Sequence, residues 1–121
     1  DESEVEMQET LDLAIELNAE HTNFYPCMAL PGSPLYHGVV TGKGQLPDSF
    51  EGYSFHSYDC QPLATKHCTA GQVIAFRDRA WLSVSTNPRY LAMIAAKFGQ
   101  DRADAILAQT KIQLKRRLLE S

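Results

Sequence analysis

Residues 22–30, TNFYPCMAL, restrict the fold of this chain more than any other stretch. Phe24, Tyr25, Cys27, Met28 and Leu30 form an almost unbroken apolar run, too continuous for an edge strand facing water, and Pro26 within it lacks a ladder donor. The run reads as a mostly buried strand. A lone strand leaves backbone N–H and C=O groups unpaired on both sides, a state that burial penalises heavily. Partner strands are therefore required, yet the remaining sequence holds no second convincing one.

The rest is written in helical periods. Ser3-Glu4-Val5-Glu6 has the spacing of a capping box, and Met7, Leu11, Ala14, Ile15 and Asn18 share one face, so a first helix runs from there to Asn18 or Ala19. Ser33 and Pro34 open a short helix reaching about Val40, within an otherwise irregular stretch from 31 to 66. Thr69 with Gln72 is a second capping signal, followed by Val73, Phe76, Ala80, Trp81 and Val84 on one face. Asn87 and Pro88 start a further helix that Gly99 ends. A last helix is expected from Gln100 or Asp101 to Leu119, with Lys115, Arg116 and Arg117 at the negative end of its dipole. Arg77, Asp78 and Arg79, beside Trp81, read as the solvated side of their helix.

A chain of 121 residues sets one domain as the ceiling, and 44% hydrophobic content suffices for a core. Net charge is −4, but the first 20 residues carry eight acids and no Lys or Arg while basic residues crowd the far end, which argues against a general nucleic-acid surface. No apolar run approaches the roughly 20 residues of a membrane span, and the acidic start is unlike a signal peptide, so the reading is a soluble cytoplasmic protein. Cys27, Cys60 and Cys68 are odd in number and lack CxxC spacing, so reduced thiols are expected. Two imidazoles and two thiolates at His56, Cys60, His67 and Cys68 could in principle close a zinc site, but their spacing fits no strong zinc signature.

Residues 9–36, ETLDLAIELNAEHTNFYPCMALPGSPLY, resemble the late βα portion of a radical S-adenosylmethionine (SAM) enzyme, in the class that carries a cobalamin-binding domain ahead of its barrel. The pattern of that class is a helix reading ET...A.ELN, a strand reading FY..M.YPGT/S.LY and a C-terminal tail. Residues 51–67, EGYSFHSYDCQPLATKH, and 86–91, TNPRYL, are similar to that tail. The resemblance implies an α+β fold, mainly helical with one or two strands. Residues 1–42 would be the terminal βα part of a partial TIM barrel, and 43–121 an extension made of a long aromatic loop and three helices.

It further implies that the strand's neighbours lie upstream of Asp1, in an N-terminal barrel and cobalamin domain, and that the parent enzyme uses SAM, a 4Fe-4S cluster and cobalamin. Tyr25 and Met28, or in the other register Phe24, Pro26 and Cys27, would face the barrel interior near the adenosyl group. Tyr53, His56 and Tyr58 would lie on the substrate side, where an imidazole and a phenol can bind a substrate or exchange a proton with it. The chain carries neither the CxxxCxxC cluster motif nor the glycine-rich SAM-contacting strand, so no catalysis is expected from it alone. The competing expectation is a freestanding helical binding or assembly module, a homodimer joined through residues 22–30 and without enzymatic activity.

Overall fold

The computed structural model describes residues 1–42 and 44–120. Five α-helices follow one another: α1 (Glu4–Leu17), α2 (Pro34–Thr41), α3 (Ala70–Ser85), α4 (Pro88–Phe98) and α5 (Gln100–Gln109). Two short 3-10 turns, Phe50–Tyr53 and Arg117–Leu119, punctuate the loops. Their starts are set by local chemistry. The Glu6 carboxylate accepts from the Ser3 N–H at 2.6 Å and from its hydroxyl at 2.9 Å. At α3, the Thr69 N–H donates to Gln72 Oε1 at 2.8 Å while Thr69 Oγ1 accepts from the Gln72 N–H at 3.1 Å. Asn87 Oδ1 accepts from the N–H groups of Arg89 and Tyr90 ahead of α4, with Pro88 in its first turn. These bonds satisfy donors that a helix start leaves open. Asn18, at φ 49° and ψ 46°, ends α1 in the left-handed region. Gly99, at φ 96°, links α4 to α5 with a backbone that L side chains rarely adopt.

The core forms where α3 meets α1 and α4. Met7 and Leu11 from α1, Val73, Phe76, Ala80 and Val84 from α3, Tyr90 and Ile94 from α4, and Ala103 from α5 are buried in one cluster with Cys68. No helix among the described residues is long and apolar enough to cross a membrane.

Three expectations need correction. First, the described residues are helical or irregular and include no strand, so the α+β partial TIM barrel does not describe this fold. Residues 22–30 are extended but pair with nothing as a ladder: Cys27 O accepts from the Leu63 N–H at 2.8 Å, and Phe24 O accepts from Arg77 Nε at 3.1 Å. Apolarity did not amount to burial here, since Tyr25 is 65% and Leu30 52% exposed while Pro26 and Ala29 are buried. With Pro26 withholding a donor and no second strand offering one, the segment lies instead as a strap over α3.

Second, α5 ends at Gln109, ten residues before the expected Leu119. The Thr110 N–H bonds the carbonyls of both Ile106 and Leu107, its Oγ1 donates to Leu107 O at 2.6 Å, the Lys111 and Ile112 N–H groups make two more bonds three residues back, and the chain is then irregular as far as Arg117. Third, Arg77 and Arg116 are not on solvated helix surfaces: both are buried, Arg116 to within 2% of full enclosure. Arg77 stands four residues after Val73 and three before Ala80, on the stripe that faces inward. The expected division at residues 42 and 43 falls at Lys43, outside the described residues.

Candidate functional site

Residues 52–61 are folded into consecutive tight turns. The Ser57 N–H donates to Ser54 O at 3.1 Å, the Cys60 N–H to Ser57 O at 3.3 Å and the Gln61 N–H to Gly52 O at 2.9 Å. The loop has to close on a glycine, because a Cβ at Gly52 would come within 2.4 Å of Pro47 Cβ. Burial alternates along it: Tyr53, Phe55, Ser57 and Asp59 are half-buried, whereas Ser54, His56 and Tyr58 are exposed. Tyr53 is thus separated from His56 and Tyr58, with which it was expected to share the substrate side.

Its half-buried side meets two guanidiniums. Arg77 places Cζ 5.4 Å from the centre of the Phe55 ring, donates through Nε to Phe24 O and through Nη1 to Asp78 Oδ1 at 3.0 Å. Arg116 grips the same carboxylate with two bonds, Nε to Oδ2 at 2.9 Å and Nη2 to Oδ1 at 2.8 Å, and gives Nη1 to Ser57 O at 2.9 Å. Asp78 therefore pairs with two cations that the sequence alone left on the surface, and the three together keep a net positive charge. The last residues fasten the loop from outside: the Arg117 N–H donates to Tyr58 O at 3.0 Å, Arg117 pairs with Asp59, and Tyr58 donates its phenol to Glu120 Oε2 at 2.7 Å.

On this base an aromatic row is built. The Tyr25 ring stands edge-on to Phe55, with centres 4.9 Å apart and planes at 86°, and Phe55 lies 4.3 Å from the His56 ring. Below Tyr25 a cavity of about 270 Å³ is lined by Phe24, Pro26, Cys27, Phe76 and Arg77 among others. Of the residues expected from sequence, Tyr25 and His56 are brought together through Phe55. Tyr58 is committed to Glu120, and that bond holds its phenol above the ordinary value of 10. Tyr53 is half-buried in the 3-10 turn, and Met28, half-buried, does not line the cavity under Tyr25. Sequence reasoning missed Phe55, Arg77, Asp78 and Arg116. Only Arg77 left a trace, its place on the inward stripe of α3.

No group of three or more His, Cys, Asp or Glu among the described residues could hold a metal, so His56, Cys60, His67 and Cys68 do not close a zinc site. Tyr25 and Met28 do not share a cavity that would take an adenosyl group. Cys60 is buried, and that burial pushes its thiol up, away from thiolate chemistry.

What the arrangement offers chemically is a neutral base on an aromatic ledge. Although His56 is exposed, the loop displaces some of the water around its ring, and this desolvation, then the Arg77 and Arg116 guanidiniums, hold it below its ordinary value of 6.5, with Asp78 opposing them. The imidazole is therefore uncharged at neutral pH and can accept a proton or a hydrogen bond. Because its folded value is the lower one, charging His56 penalises the fold. Its contribution to stability is fully present above pH 6.5 and is lost as pH falls through the folded value. A proton NMR titration of the ring should give a midpoint below 6.5, and Asp78→Asn should lower it further by removing the one opposing charge. A midpoint at or above 6.5, or an upward move in the variant, would show that the two guanidiniums do not act on this ring. Comparison with family models, with curated proteins and with solved structures finds no match for the chain.

Proposed function

We propose that this chain is the C-terminal part of a radical SAM enzyme of the cobalamin-binding class and forms a wall of that enzyme's substrate pocket, in the cytoplasm. The cluster, SAM and cobalamin would be held by the preceding barrel and cobalamin domain, and these residues would not be catalytic alone. One observation carries the reading. The Tyr25–Phe55–His56 row joins residues 23–36 to residues 51–67, the two stretches whose sequences resemble the region around the adenosyl group and substrate. In that setting Phe55 and Tyr25 would bound the substrate, and the neutral His56 would accept a hydrogen bond or proton from it, while Arg77 and Arg116 fix the loop beneath.

A second reading, the freestanding homodimeric module without enzymatic activity, draws on α1: Val5 is 68%, Leu13 54% and Leu17 68% exposed, an apolar face that another body could cover. The reading frame that encodes Asp1, read upstream, separates the two. A CxxxCxxC codon pattern preceded by a cobalamin-binding domain is the expected result; a frame without that motif, together with a dimeric native mass of the 13.5 kDa chain by light scattering, overturns the enzymatic reading in favour of the module.

A further inference from the structure

Away from the aromatic ledge, an open cleft of about 500 Å³ lies between α3, α4, α5 and residues 20–23, within the size range of small-molecule sites. It has only Asn23 in common with the cavity under Tyr25. Trp81 from α3 and Tyr90 and Phe98 from α4 give it aromatic surface among polar groups. Two donors stand out in it. Arg102, on α5, forms no ion pair among the described residues. Ser85 is 6% exposed and lines the cleft, and no buried side-chain oxygen or nitrogen among the described residues lacks a partner, so its hydroxyl, unbonded to protein, meets the cleft.

The carboxylate lining the cleft is already paired. Glu20, the acid at the rim, is paired with Lys97, and its carbonyl accepts the Tyr90 hydroxyl at 3.1 Å. The cleft thus keeps one guanidinium without an ion-pair partner among the described residues and one hydroxyl open to it, beside three aromatic side chains. We infer that it binds a small aromatic monoanion, with the ring system against Trp81 and Phe98 and the carboxylate or sulfonate on Arg102 and Ser85. A planar body matches the aromatic walls, and a charged acceptor is what a guanidinium and a free hydroxyl bind best.

Trp81 is the only tryptophan and lines this cleft, but it also borders a groove beside Leu82 and Leu114, so the Arg102 variant is what assigns a change in its emission to this cleft. The test titrates the full chain with 1-anilinonaphthalene-8-sulfonate and, separately, with N-phenyl-1-naphthylamine, which has the same rings without the charge. The sulfonate is expected to quench Trp81 with saturation at one equivalent. It should bind about tenfold more weakly to Arg102→Gln, the loss of one charge-assisted contact, while the uncharged amine keeps its affinity. Arg102 is exposed on its helix, so the variant folds. Quenching absent at saturation, an Arg102→Gln affinity within twofold of the parent, or equal affinity for the two dyes would each overturn the inference.

Discussion

Asp78→Ala is expected to lower the unfolding free energy by about 3 kcal/mol, measured by urea denaturation. The carboxylate accepts two bonds from Arg116 and one from Arg77. The Arg116 side chain is only 1% exposed, so deleting its partner strands a guanidinium away from water with Ser57 O as its remaining acceptor. Asp78 itself is 27% exposed, which places the loss at the lower end of what breaking a buried pair costs. Against a total stability of roughly 5–15 kcal/mol this is a large fraction. Removing the Arg116 charge as well should be milder: Asp78→Leu with Arg116→Met is expected to recover part of the loss, since apolar residues replace the buried Arg116–Asp78 pair with little penalty while Arg77, its side chain 9% exposed, still loses its carboxylate. A single-variant loss under about 1 kcal/mol would mean that water reaches Arg116 and that the C-terminal segment is not anchored there.

This ion pair also explains why the sequence misleads at its far end. Residues 111–119 have helical composition, and Lys115, Arg116 and Arg117 suit a helix terminus, so local signals all favour continuation. A bidentate contact to a residue 38 positions earlier outweighs them, because a helix through Arg116 would keep its guanidinium from Asp78. The same tertiary dependence governs residues 22–30. Their apolar run is a local fact, but a strand exists only where another supplies its ladder, and among the described residues none does. Helices α1, α3 and α4 were legible because Ser3, Thr69 and Asn87 signal within three residues of themselves. The candidate site lay between these extremes. His56 stood out by its chemistry, whereas the row it belongs to draws on Tyr25, upstream of it, and on Arg77 and Arg116 downstream, pairings that no spacing rule announces.

Ile74→Ala is expected to cost about 3 kcal/mol, the usual effect of emptying a fully enclosed branched position. Ile74 is 0% exposed, yet it is not part of the cluster that unites α1, α3 and α4. Helical spacing puts it on the face of α3 that also carries Arg77, Asp78 and Trp81, three, four and seven residues on. Across that face lie the loop of Phe55 and the C-terminal segment of Arg116, held by the cation over the ring and by the ion pair. What encloses Ile74 is therefore loop rather than helix, and the cavity left by alanine opens beneath the aromatic ledge. Hydrogen exchange then discriminates between positions in a way that total stability does not. The amides of Gln61, Leu63 and Arg117, which bond Gly52 O, Cys27 O and Tyr58 O, should exchange faster in the variant, while those of α1 and α4 keep their relative protection. Uniform acceleration across α1 and α4 would instead assign Ile74 to the helical core and leave the ledge resting on its polar contacts alone.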